Sequence, residues 1–113
     1  MHEVSIVEGL IEILLDVARE NGLSKVTRIT LRIGAMRQIV PDALYFAFEA
    51  IGKGTIAEGA EIVINSVPTC ARCSDCSNEF SVEEYCFFCP SCSSRNVSVI
   101  KGKELFVDSI EGE

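Results

Sequence analysis

The sequence lacks most of the features that would place it in a large functional class. Its 113 residues include one histidine, and no apolar run approaches the roughly 18 residues of a membrane-spanning helix. There are 10 lysine and arginine residues against 17 aspartate and glutamate residues, which gives a formal net charge of −7. A nucleic-acid partner is therefore not expected, because phosphates would repel the chain. Neither a Gly-x-x-x-x-Gly-Lys phosphate loop nor a Ser/His/Asp set is present, so we expect no enzymatic activity.

The first residues also lack the pattern of an export signal. No basic segment precedes the apolar residues, and Glu8, Glu12 and Asp16 interrupt them. Disulfide bonds need an oxidising compartment, so the cysteines of this chain are expected to be reduced. We therefore expect a cytoplasmic protein with no membrane association, built as one domain with a small appendage.

Cysteine is absent from most of the chain, and all six cysteines lie between positions 70 and 92. Four of them form two Cys-x-x-Cys pairs, separated by twelve residues: Cys73, Cys76, Cys89 and Cys92. Two such turns can place four thiolates around a zinc ion at about 2.3 Å. Because four protein ligands leave no open position for a substrate, a site of this kind is structural.

The spacing alone leaves a second register open. It has the same separation and uses Cys70, Cys73, Cys86 and Cys89. Pro90 favours the first register, because it presets φ at a turn position whose N–H group is not needed. Phe87 and Phe88, which the second register would place in a turn, are poor turn formers. We therefore predict zinc at Cys73, Cys76, Cys89 and Cys92, and interpret Cys70 and Cys86 as spare reduced thiols.

The hydrophobic periodicity predicts an α+β fold. The expected elements are a helix ending at Asn21-Gly22, a strand at 26–33, a helix from Pro41 to Gly52, a strand at 60–67, and strands at 97–100 and 104–110. Two helices can cover one face of a three-stranded sheet. We predict an α/β lobe at 1–68, completed by the strand 104–113, with an inserted zinc-ribbon-like lobe at 69–103.

The only histidine is His2, and Glu3 follows it. The amine of Met1, the amide nitrogen of His2 and the imidazole Nδ1 of His2 can bind one ion through adjoining chelate rings. Such nitrogens suit a square-planar Ni(II) or Cu(II) ion, whereas zinc prefers tetrahedral sites. Glu3 offers its amide nitrogen or carboxylate, or orients the imidazole ring. A disordered terminus is the common alternative for a histidine at this position.

Taken together, these motifs resemble the HypA/HybF family of hydrogenase nickel-incorporation proteins. The resemblance covers essentially the whole chain. It rests on Met1-His2-Glu3 before the first helix, Gly34, Pro41, Gly59-Ala60-Glu61, the favoured cysteine register with Pro90, and Gly102-Lys103-Glu104-Leu105.

The resemblance implies a metallochaperone. Ni(II) is held at Met1, His2 and Glu3, structural Zn(II) is held in the insert, and nickel is delivered to the large subunit of [NiFe]-hydrogenase. The implied partners are that subunit, a nickel-handling GTPase and, in some organisms, urease maturation proteins. This chain departs from the pattern by adding Cys70 and Cys86, and it has no second histidine to complete a nickel site.

Two alternatives remain from the residues alone. One is a zinc-ribbon protein-interaction module without nickel transfer. The other is a rubredoxin-like electron carrier, since the same cysteine pattern suits iron, although twelve intervening residues are few for that fold. Neither alternative accounts for Met1-His2-Glu3.

Overall fold

The computed structural model of the protein describes residues 3–113. It shows an α+β fold of two helices and two three-stranded sheets. The elements are α1 (Glu3–Asn21), β1 (Val26–Gly34), a 3-10 turn (Ala35–Arg37), α2 (Pro41–Gly52), β2 (Glu61–Val67), β3 (Cys70–Cys73), β4 (Glu79–Ser81), β5 (Val97–Lys101) and β6 (Leu105–Gly112). Within the described range, neither helix is long and apolar enough to cross a membrane.

Helix α1 buries one apolar stripe and ends where the sequence predicts. Its buried residues recur at helical spacing: Val7, Leu10, Ile11, Leu14 and Ala18. Gly22 adopts a positive φ of 67° after the last helical residue. The N–H of Leu23 then donates to the carbonyl of Ala18 at 2.8 Å, which satisfies one of the free carbonyl groups at the helix end.

The larger sheet has β1 at its centre, parallel to β2 and antiparallel to β6. The period-two pattern of β1 is confirmed, because Ile29, Leu31 and Ile33 are buried in the core that contains the buried faces of α1 and α2. Leu31 is aligned with Ile64 of β2 and Val107 of β6. The last strand therefore returns to the main sheet after the cysteine segment, as expected from its apolar residues.

The opposite face of this sheet carries charged side chains. Arg28 lies 3.0 Å from Glu111 and 3.6 Å from Glu61, and Arg32 lies 3.2 Å from Asp108. Exposed ion pairs of this type each contribute at most about 1 kcal/mol. We interpret this face as a solvated surface whose charges hold the register of the strands.

The smaller sheet lies in the cysteine segment and has the order β4-β3-β5. The sequence analysis predicted β5 but missed β3 and β4. These strands have only 4 and 3 residues and show no clear alternation of apolar and polar side chains. We use the name insert for residues 69–103, which contain this sheet and all six cysteines.

The described residues are elongated, with extents of 54 × 26 × 17 Å. Their radius of gyration is 17.6 Å, against about 13 Å for a compact chain of this length. This shape agrees with two separate sheets, and we propose the division into an α/β lobe (1–68 with 104–113) and the insert as the domain organisation.

The insert joins the larger sheet through a close contact between two backbone segments. Gly102, at a φ of 116°, directs its carbonyl oxygen to the N–H of Met36 at 2.8 Å. The Nε–H of Arg37 donates to the Lys103 carbonyl at 2.7 Å. A Cβ atom at Gly34 would overlap the carbonyl group of Gly102, so only glycine permits this approach.

We predict that Gly34→Ala destabilises the zinc-loaded protein by about 3 kcal/mol or more, because the added methyl group meets backbone that cannot move aside. Gly9→Ala is the matched control. A Cβ atom at Gly9 meets nothing within 4 Å, and this helix-interior substitution should stabilise by about 1 kcal/mol. Urea denaturation followed by circular dichroism measures both changes. Equal stability of Gly34→Ala and the wild type would contradict the prediction.

Candidate metal centre

Four cysteine sulfurs lie together in the insert. The Sγ atoms of Cys73, Cys76, Cys89 and Cys92 are all within 4.8 Å of one another. The separation is 3.6 Å between Cys73 and Cys92 and 3.5 Å between Cys76 and Cys89. Sulfurs at the corners of a zinc tetrahedron are about 3.8 Å apart, since each bond is about 2.3 Å. A disulfide bond is about 2.05 Å long, and all six cysteines are free. The cluster therefore fits a tetrahedral metal ion.

The first Cys-x-x-Cys turn directs backbone N–H groups at its sulfurs. The Cys73 sulfur accepts hydrogen bonds from the N–H groups of Asp75 and Cys76, and the Cys76 sulfur accepts one from Asn78. Ser77 has a φ of 63°, and its N–H donates to the Cys73 carbonyl at 2.9 Å. These donors stabilise negative charge on the sulfurs, which a metal ligand requires.

The second turn repeats the same geometry. The Cys89 sulfur accepts hydrogen bonds from the N–H groups of Ser91 and Cys92. Ser93 has a φ of 61°, and its N–H donates to the Cys89 carbonyl at 2.8 Å. Pro90 occupies a turn position whose N–H does not contact the sulfurs: at the equivalent position of the first turn, the Ser74 N–H donates to the Asn96 carbonyl at 2.9 Å. The sequence analysis missed the role of Ser93, although a serine follows the second cysteine of both pairs.

The two thiols of one close pair differ in pKa. Burial raises the pKa of the Cys89 thiol, but the N–H groups of Cys92 and Ser91 and the thiol of Cys76 lower it by more, to about 6. The Asn78 N–H lowers the pKa of Cys76, whereas the neighbouring Cys89 sulfur and burial raise it by more. Cys89 therefore favours the thiolate and Cys76 the thiol.

The other close pair behaves in the same way. Burial raises the pKa of Cys73, but the N–H groups of Cys76 and Asp75 lower it by more. The Ser94 N–H lowers the pKa of Cys92, whereas the neighbouring Cys73 sulfur and burial raise it to about 12. A metal ion bound by all four sulfurs must displace the remaining protons, so its affinity should fall as the pH is lowered.

The two other cysteines lie outside this group. Cys70 is half-buried in β3, and Cys86 is exposed. Among the described residues, the structure brings together the four cysteines of the register that Pro90 favours. Zinc binding by these four residues stays a prediction.

The predicted nickel motif is only partly visible. Met1 and His2 lie outside the described residues. Glu3 begins α1, and its carboxylate accepts a hydrogen bond from the N–H of Val40 at 3.3 Å. Val40 is the N-cap of α2, so the Glu3 carboxylate lies near the positive end of that helix dipole. This contact positions the third residue of the motif beside the start of α2.

Fold and site together define a small metal-binding protein, in which an α/β core carries an inserted four-cysteine centre. Comparison with known proteins identifies the family. The family described as "Hydrogenase/urease nickel incorporation, metallochaperone, hypA" matches residues 1–112. The chain therefore belongs to the HypA family, which confirms the resemblance found in the sequence.

Relatives and solved structures agree with this assignment. The chain is 42% identical over 113 residues to the hydrogenase maturation factor HypA of Acidithiobacillus ferrooxidans, and 39% identical over 113 residues to that of Moorella thermoacetica, with complete coverage of both chains. It is also similar to the solution structure of the Ni metallochaperone HypA from Helicobacter pylori. The TM-score is 0.69 at 27% identity, covering 99% of this chain and 97% of the other. A further HypA solution structure gives 0.76 at 28% identity, with coverage of 100% and 97%.

We predict one zinc ion per purified chain. Replacing any of Cys73, Cys76, Cys89 or Cys92 with serine should abolish zinc binding and unfold the insert, because structural zinc contributes on the order of 10 kcal/mol to units of this size. Metal analysis by mass spectrometry and amide resonances of the insert measure the two effects.

The matched controls for the zinc prediction are Cys70→Ser and Cys86→Ser, which remove a thiol from the same insert but from outside the four-sulfur group. Both variants should retain zinc. Loss of zinc in these two variants would show that the other register is the correct one.

Proposed function

We propose that this protein is a nickel metallochaperone that binds Ni(II) at Met1, His2 and Glu3 and delivers it for the maturation of [NiFe]-hydrogenase. The observation that carries the proposal is the match of essentially the whole chain to a nickel-incorporation family. The Met1-His2-Glu3 motif supports it independently, because its adjoining nitrogen donors suit square-planar Ni(II).

Glu3 contributes to this proposed site in a defined way. Its carboxylate contacts the N–H of Val40, so the start of α1 is held against the start of α2. The Glu3 amide nitrogen, its carboxylate, a water molecule or an atom from a partner completes the coordination. A terminal site of this kind exchanges its metal with a partner more readily than a buried cage, and a carrier must release its cargo.

The four-cysteine centre has a different role in the proposal. Cys73, Cys76, Cys89 and Cys92 hold Zn(II), and a closed set of four thiolates leaves no position for a substrate. The zinc ion is therefore structural, and the protein acts as a carrier without catalysing a reaction itself. Any energy-dependent step comes from a separate nucleotide-hydrolysing partner.

The proposed partners follow from the proposed task. They are a nickel-handling GTPase, the hydrogenase large subunit and, in organisms that contain it, the urease maturation machinery. We place the protein in the cytoplasm, because a reducing compartment keeps the four clustered cysteines available as thiolate ligands.

The nickel site is tested by His2→Ala in protein with a free N-terminal amine. We expect nickel binding measured by calorimetry to be lost, with zinc content and helical signal unchanged. Wild-type affinity should fall as the pH is lowered through about 6.5, because a protonated imidazole cannot bind a metal. Glu8→Gln, which alters an exposed carboxylate of α1, should bind nickel like the wild type. Unchanged affinity in His2→Ala would refute the terminal site and leave the thiols of Cys70 and Cys86 as the next candidates for nickel ligands.

Delivery is tested separately in a hydrogenase-containing strain that lacks its own copy of this maturation factor. Expression of the wild-type chain should restore hydrogenase activity, whereas His2→Ala should restore little of it because the cargo site is lost. Added nickel at high concentration should partly rescue the variant. Full hydrogenase activity with the His2→Ala variant at low nickel concentration would show that the terminal site is not needed for nickel delivery. This conclusion would hold even if the terminus binds nickel in solution.

A further inference from the structure

An open apolar groove runs between α1 and β6. Its volume is about 240 Å³, and its lining includes Ile6, Leu10, Ile13, Leu31, Leu105 and Val107. Ile13 is 47% exposed within it. Small-molecule sites usually have volumes of about 300–1,000 Å³. The groove is smaller than this range, so a row of side chains from a partner protein fits it better than a cofactor does.

The helix wall of the groove contains an unexpected glycine. Gly9 lies in the interior of α1, where glycine costs about 1 kcal/mol relative to alanine. A Cβ atom built at Gly9 meets no atom within 4 Å, so the fold itself does not require glycine there. At Gly34, in contrast, a neighbouring backbone segment explains the residue. The missing side chain at Gly9 deepens the groove and lets another chain approach the helix closely.

A row of acidic side chains follows the same helix. Glu8, Glu12, Asp16 and Glu20 recur every four residues, and all are exposed. Like charges at this spacing destabilise a helix by about 0.2–0.5 kcal/mol per pair. Glu8 and Glu12 come three residues after Ser5 and Gly9, which line the groove, so both acids border it. Asp16 is paired with Arg19 instead. The rim on the helix side is therefore negatively charged.

The second wall of the groove is an open sheet edge. β6 pairs with β1 on one side and is the outer strand of its sheet. Leu105 and Val107 of this strand line the groove, whereas the Phe106 ring packs under Arg32 on the charged face of the sheet, 5.7 Å from ring centroid to guanidinium carbon. An open edge strand beside an apolar groove is a common feature of protein interaction surfaces.

We propose that this groove docks an amphipathic segment of a partner protein, with apolar side chains that enter beside Gly9 and lysine or arginine side chains that face Glu8 and Glu12. The charge of the rim selects this occupant. A second copy of the chain would bring two acidic rows and two net charges of −7 together. Nucleic acids and anionic membranes carry the same sign of charge and are repelled as well. The proposal does not depend on the nickel site.

The test uses a fluorescein-labelled synthetic peptide with leucine on one helical face and lysine on the other, titrated with the full-length, zinc-loaded protein. Fluorescence anisotropy should show binding that Gly9→Leu weakens by at least about tenfold, a loss of roughly 1.4 kcal/mol. The Gly9→Leu side chain fills the groove at a site with free space, so the variant should fold. Thermal denaturation checks its folding.

Charge is tested with two double variants of equal net charge. Glu8→Gln with Glu12→Gln should weaken peptide binding about fivefold or more, since both acids border the groove. Glu49→Gln with Glu58→Gln alters two exposed acids that line a different depression, beside α2, and should leave binding unchanged. Equal weakening by both double variants would overturn the proposal in favour of non-specific attraction.

Three further measurements complete the test. Amide shift changes centred on Gly9, Ile13 and Val107 support docking in the groove, whereas changes confined to other surfaces overturn it. A scrambled peptide of the same composition should bind at least about tenfold more weakly, and equal binding overturns the proposal. Sedimentation that reveals a dimer dissociated by Gly9→Leu would show that a second copy occupies the groove, which also overturns it.

Discussion

The close backbone contact between Gly34 and Gly102 holds the two sheets in one arrangement. β1 ends at Gly34, and the chain returns from the insert at Gly102 before β6 begins. Hydrogen bonds from Met36 to the Gly102 carbonyl and from Arg37 to the Lys103 carbonyl close the contact. β6 must pair with β1 to complete the larger sheet. The backbone atoms at Gly34 and Gly102 therefore fix both the position of the insert and the start of the strand that completes the core.

A carboxylate stabilises this junction from within. The N–H groups of Glu104 and Gly102 hold the pKa of the Glu104 carboxyl below its usual range. The Gly102 N–H donates to the Glu104 side chain at 2.7 Å. A carboxyl group whose pKa is lower in the folded state than in the unfolded state stabilises the fold when the pH is above its unfolded pKa. This contribution is lost as the pH falls through the folded pKa. The junction is therefore intact at neutral pH and weakens only in acid.

Much of this arrangement could be predicted from the sequence, because it depends on local patterns. The apolar stripe from Val7 to Ala18 locates α1, and the alternation from Ile29 to Ile33 locates β1. Pro41 and Gly52 mark the two ends of α2. The cysteine register followed from Pro90, because a turn tolerates proline only at certain positions.

The features that sequence reasoning missed depend on contacts between distant residues. β3 and β4 form by pairing across the insert, and their short segments carry little periodicity of their own. The order β2-β1-β6 depends on long-range pairing in the same way. The groove was missed because it forms only where Gly9 and Ile13 of α1 lie beside Val107 of β6. No local sequence pattern predicts which strand edge a helix packs against.

The chemistry of the two metal motifs explains how one chain can handle two ions. Four thiolates at tetrahedral positions are soft donors that suit zinc, and the repeated N–H contacts in the two turns stabilise their charge. Nitrogen donors in one plane, as proposed for the terminus, exclude a tetrahedral arrangement and so favour Ni(II). A chain with one histidine cannot build a second imidazole site elsewhere. In the proposed function, donor type and geometry select between the ions, and the two motifs need not compete for the same metal.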